Sequence, residues 1–209
     1  IFSYFLNFDM ENKWDYLLSE FHNLGGIAEN ICQRMGKNGR GIFPVNANSK
    51  SRIFTPFSLM VRKNDICLEE GKLRIKKDSN YKKDVRNFFN FYQDNFSWGA
   101  GGKEVTENFE LGLKLCDISL KNLLKKYTLH NIDERHQGDW DEVIKKQFLQ
   151  SRSISPFERE QFIAPIFELV NHGFNSLPFI INLKGISTPL STPSVNELKI
   201  NYSVYQDPL

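Results

Sequence analysis

Cysteine is scarce in this chain, and the little there is lies scattered. Cys32, Cys67 and Cys116 are odd in number, form no C-x-x-C pair and join no Cys/His cluster with zinc spacing. That argues against a structural metal and makes reduced thiols the expectation, in an intracellular reducing compartment such as cytoplasm, nucleus or organelle stroma. Long apolar runs are lacking too. None approaches the roughly 20 residues needed to cross a bilayer, so no membrane span is expected. Charge of one sign is absent as well: 27 Lys and Arg against 25 Asp and Glu leave a net +2. Nothing global therefore points to nucleic acid or an anionic membrane as partner. The first residue is Ile1 rather than Met, within an apolar and aromatic start, as expected of an excised or processed piece.

What is present suits a globular domain. The 209 residues are 40% hydrophobic, enough to bury a substantial core. Met10 to Asn23 carry Trp14, Leu17, Leu18 and Phe21 at helical spacing, and Gly25-Gly26 closes that helix. Strand-like pieces follow at Ala28 to Arg34, Gly41 to Val45 and Arg52 to Phe54, punctuated by glycine, asparagine and serine. Thr55 to Ile66 fits either a strand or irregular chain. From about Lys76 the pattern turns helical: "DVRNFFNFYQDNF" is followed by a stripe with Leu113, Ile118, Leu120 and Leu124. "SPFEREQFIAPIFELV" continues the helical reading, with Ser155 as N-cap and Glu158 three residues on in a capping-box pattern. From Phe179 the chain returns to strand pieces, "FIINL" and "ELKINYSVY". The plan is α+β, with two β portions meeting across a helical insertion.

Three segments carry most of the polar signal. In "KNGRGIF", Gly39 and Gly41 flank Arg40, which reads either as a plain tight turn or as backbone approaching a ligand. "FLQSRSI" holds Ser151 and Arg152 at the end of the insertion. In "APIFELVNHGFN" an apolar run stops on Asn171 and His172, as it would at a ligand held on the edge of a core. "NELKINYSVYQDPL" then supplies Tyr202 and Tyr205. Phe88, Phe89, Phe91, Tyr92 and Phe96 read as core or as a peptide-facing surface. His130 and His136 read as solvated loop positions with too few neighbours to hold a metal.

In this order the segments resemble the SET-domain methyltransferases, in particular the subgroup typified by the Rubisco large-subunit lysine methyltransferase. The resemblance also takes in the tryptophan-bearing first helix, "FTPFSLMV" and the "EL-I-Y" strand. It implies a single SET domain over residues 1–209, with small curved β-sheets around a knot-like crossing, interrupted by a helical insertion at about 78–150. The subgroup's C-terminal substrate-binding domain is not expected within this chain.

The implied cofactor is S-adenosyl-L-methionine, leaving as S-adenosyl-L-homocysteine, and the implied reaction is methyl transfer to a lysine nitrogen of a protein or peptide, with non-histone substrates favoured. Methylation of another side-chain nitrogen such as histidine stays open. So does a SET-like module that binds without turnover. By resemblance the cofactor is held at Asn38, Gly39, Arg40, Gly41, Ser151, Arg152, Asn171 and His172. Glu168 stands where an acidic residue, more often aspartate, faces the substrate lysine; read alone it is a helix-surface carboxylate. Tyr202 is the catalytic candidate unless that tyrosine lies beyond Leu209, and Tyr205 is a substrate-side candidate. Such chemistry works through positioning and electrostatics, without a covalent enzyme intermediate.

Overall fold

A computed structural model describes residues 2–36, 39–70, 72–97, 111, 115–120, 145, 149, 152–157, 160–191 and 196–202, with backbone only for 2–10. Helix α1 spans Phe2–Asn23. Trp14, Leu17 and Phe21 share one face and are buried, as their three- and four-residue spacing requires. The helix ends as a glycine terminus should. Gly25 takes φ +90°, and the Gly26 amide reaches back to the Phe21 carbonyl at 2.8 Å, satisfying a carbonyl the helix leaves open.

The N-terminal β portion follows as β1 (Ile27–Glu29), β2 (Ile31–Gly36), β3 (Gly39–Pro44) and β4 (Arg52–Pro56). Strands β2 and β3 pair antiparallel from Ile31↔Pro44 to Gly36↔Gly39. Arg40 and Gly41 therefore lie inside a strand, and the expected Gly39–Gly41 turn is displaced: the positive φ (+96°) falls on Gly39, at the last pair of the ladder. Thr55 to Ile66 is a mixture: a 3-10 turn at Phe57–Leu59, β5 (Val61–Arg62) and a second 3-10 turn at Lys63–Asp65. A hairpin of β6 (Ile66–Glu69) and β7 (Lys72–Ile75) leads to helix α2 (Lys83–Asn95).

Val85, Phe88, Phe89 and Tyr92 form the buried stripe of α2, with Phe96 just beyond it. Phe88 stacks on Phe21 of α1 at 5.9 Å between ring centroids. These aromatics are core, each worth about 1.5–3 kcal/mol of burial. Of the remaining insertion stripe, Ile118 and Leu120 are helical and exposed, whereas Leu113, Leu124, His130 and His136 lie outside the described residues.

The helical expectation for Ser155 to Val170 is overturned. The chain there forms β8 (Ile154–Phe157), β9 (Glu160–Ile163) and a 3-10 turn over Phe167–Leu169. Strand β9 lies between β5 and β8, so pairing across the molecule wins over a local capping pattern. Ser155 is a strand residue and caps nothing.

The second β portion supplies β10 (Asn171–His172), β11 (Ile180–Ile181), β12 (Gly185–Ser187) and β13 (Lys199–Ile200). Strand β12 joins β4, giving the order β1-β4-β12-β11, and β13 runs parallel to β10. Just before β13, Leu198 bridges Ile42 of β3, with its amide 2.8 Å from the Ile42 carbonyl. The two β portions thus interlock, in an α+β architecture of small sheets. No helix among the described residues is long and apolar enough to cross a membrane.

Candidate functional site

The interlock brings Arg40, Gly41, Asn171 and Glu197 to one place. Strand β10 presents Asn171, whose side-chain Nδ2 donates to the Arg40 carbonyl at 3.0 Å and to Glu197 Oε1 at 2.7 Å. Both hydrogens of that nitrogen are therefore committed. The other oxygen of Glu197 lies 3.2 Å from Lys199 Nζ, and Lys199 is the register partner of Asn171. Gly41 makes the approach possible. A Cβ there would come 2.7 Å from Glu197 Oε1 and 2.8 Å from Asn171 Nδ2. At Gly39, by contrast, nothing lies within 4 Å of where a Cβ would sit.

Three residues earlier, Glu168 sits in a different setting. It lies in the 3-10 turn and is fully buried. Its Oε1 accepts from the Tyr92 hydroxyl at 2.8 Å and the Ser97 hydroxyl at 2.9 Å. Oε2 is buried with no hydrogen-bond partner. Burial pushes the Glu168 carboxyl above its ordinary pKa; Arg152, Tyr92, Ser97 and Arg40 pull the other way. The turn is entered through Ile166 at φ +65°, ψ −46°. A β-branched residue is rarely found at such a φ, and holding one there costs of order 1–3 kcal/mol. Buried neighbours hold it in place: Ile166 and Phe167 are fully enclosed, and the Thr55 hydroxyl donates to the adjacent Pro165 carbonyl at 3.3 Å.

Arg152 and Tyr202 frame the segment between these networks. Arg152 Nη1 donates to the Glu168 main-chain carbonyl at 2.8 Å. The Tyr202 hydroxyl donates to the Val170 carbonyl at 2.6 Å. Burial drives the Tyr202 pKa upward; Arg152 opposes this and Glu168 adds to it. His172 is exposed, with its ring 6.0 Å from that of Tyr202 and 4.8 Å edge-on from Phe174.

Of the site residues expected from sequence, Gly39, Arg40, Gly41, Arg152, Glu168, Asn171, His172 and Tyr202 are described, whereas Asn38, Ser151 and Tyr205 lie outside the described residues. Glu168 is not the helix-surface carboxylate that its sequence neighbourhood suggests. Tyr92 and Ser97 were missed as polar partners, because nothing local marks a contact with a residue more than 70 positions away. Glu197, beside the "EL-I-Y" strand, carries no local signal of its bond to Asn171. Among the described residues no group of three or more His, Cys, Asp or Glu could hold a metal ion.

No protein-family model matches the chain, and no curated protein matches it in sequence. Among solved structures it is similar to the SET domain of LSMT bound to lysine and AdoHcy, at 13% identity and a TM-score of 0.48, over 93% of this chain and 54% of that one. It is similar to Rubisco LSMT bound to AdoMet, at 13% identity and 0.49, over 92% and 53%. It is also similar to Rubisco LSMT bound to sinefungin and monomethyllysine, at 14% and 0.48, over 92% and 53%. The chain spans about half the length of these structures.

Proposed function

We propose that this chain is a SET-type S-adenosylmethionine-dependent methyltransferase acting on the side-chain nitrogen of a protein lysine. The observation that carries the reading is the Asn171 amide bonded to the Arg40 carbonyl, 131 positions away in sequence. The two motifs that the resemblance assigns to one cofactor thus share one seam.

The residues present fit such a group. Gly39 leaves open space beside the seam, where backbone can approach a ligand closely. Glu168 Oε2 is a buried acceptor lacking a donor, a fit for an amine N–H. When bound, the cofactor would supply an electrophilic methyl group on sulfur for a nitrogen lone pair, with a neutral thioether as the leaving group. The protein's part is to hold and orient. Arg40, Gly41, Asn171 and His172 would hold the cofactor. Arg152 steadies the Glu168 carbonyl, and Tyr202 steadies that of Val170. Burial around Glu168 keeps water away from the amine, which must react in its neutral form.

Calorimetry with S-adenosylmethionine, followed by transfer of a labelled methyl group to lysate protein, tests the reading. Binding with label recovered on lysine is expected. Asn171→Ala should lose more than about 1 kcal/mol of cofactor affinity. Binding without transfer supports the second reading, a module that keeps the fold and has lost turnover. No binding overturns both.

A further inference from the structure

The Glu168 carboxylate is held from one side only. Tyr92 comes from α2 and Ser97 from two residues past its end, and both hydroxyls meet the same oxygen, Oε1. Two donors on one oxygen fix the carboxyl plane and leave the other oxygen to face whatever lies opposite. That oxygen, Oε2, is buried and has no partner. An acceptor so enclosed weakens the fold if nothing ever meets it. The titratable and charged groups around it are Tyr92 from α2, Arg152 before β8, Arg40 on β3 and Tyr202 after β13.

The geometry points to Tyr92 and Ser97 as positioning residues that clamp Oε1 of Glu168 and thereby present Oε2 to the N–H of the incoming amine. This rests on the methyltransferase reading and extends it, because the insertion then contributes to the reacting site as well as to the core. An oxygen that needs an N–H can grip an unmodified or a monomethylated amine, since each still carries one. A dimethylated neutral amine carries none. The assignment therefore restricts efficient acceptors to nitrogens bearing at least one hydrogen.

The test compares the full chain with Tyr92→Phe, Ser97→Ala, Glu168→Gln and the Tyr92→Phe/Glu168→Gln pair. The readouts are S-adenosylmethionine affinity by calorimetry, labelled methyl transfer to lysate protein, and titration of the Glu168 carboxyl by carbon NMR. Tyr92→Phe and Ser97→Ala are each expected to leave cofactor affinity within about twofold and to slow transfer about tenfold or more. Each should also raise the Glu168 titration midpoint, since a donor to the ionised form is gone. Adding Tyr92→Phe to Glu168→Gln should cost less than about twofold more, as expected of residues acting as one unit.

An unmoved midpoint with unchanged transfer in either folded variant overturns the assignment. So does an equal loss from Tyr92→Phe with and without Glu168. If Tyr92→Phe does not fold, Ser97→Ala decides by the same two measures. Cofactor binding without transfer by the unaltered chain also removes it. No cofactor binding by the unaltered chain overturns the function reading itself.

Discussion

Two polar clusters lie three residues apart on one segment and differ in nearly every respect. Around Asn171 the contacts are partly exposed, link both β portions and use up the donors of the side chain. Around Glu168 the contacts are buried, come from α2 and the residue two places past its end, and leave one atom unmet. The first arrangement is a cross-link that joins strands and, in the proposed function, walls the cofactor. The second leaves an enclosed acceptor without a donor, which costs the folded state stability on its own. Proximity in sequence therefore says little about what each residue does.

The comparison breaks most visibly at Glu168. Glu168→Ala removes the acceptor shared by the Tyr92 and Ser97 hydroxyls and opens a cavity, so a loss of about 3 kcal/mol is expected in urea denaturation. A loss under 1 kcal/mol would mean that the Tyr92 and Ser97 hydroxyls find other partners. A smaller effect, about 2 kcal/mol, is expected for Gly41→Ala, whose new methyl group would push Glu197 and Asn171 apart. The same denaturation series measures it, and an unchanged midpoint would show that the seam yields easily.

The mildest test is the response to pH. Burial raises the folded-state pKa of Glu168, so between its unfolded and folded values the native protein holds the proton more tightly. The resulting stabilisation is complete below the unfolded pKa and is lost as pH rises through the folded one. Denaturation from pH 4 upward should show this decline in the unaltered protein, and Glu168→Gln should flatten it. Parallel curves would place the carboxyl in a wetter setting than its burial indicates.

Much of the framework was legible in the residues. The α1 stripe and its glycine end could be read because helical spacing and left-handed backbone are local properties. The meeting of the Gly-Arg-Gly segment with Asn171 was implied by the family resemblance, whereas the β2–β3 pairing through Arg40 and Gly41 was not read, a turn being expected there. Ser155 to Ile163 could not be read correctly. Its Ser, Glu and Arg residues satisfy a helix-start pattern, whereas the strand there depends on β5, about a hundred residues earlier. The Glu168 network was equally hidden. Tyr92 looks like any other aromatic on the buried stripe of α2, and only the fold aims its hydroxyl at a carboxylate. The left-handed backbone at Ile166 ran against local preference altogether.

The bridge between Ile42 and Leu198 has a bearing on biosynthesis. While the polypeptide is still leaving the ribosome, β2 and β3 can close as a hairpin at once, but their neighbour at Leu198 has yet to be translated. Contacts so distant along the chain form slowly, because a long loop must close before they bring any gain. The nascent chain therefore lacks the completed seam until the stretch around Leu198 has emerged, and until then its unpaired strand edges are open to chaperones or to one another.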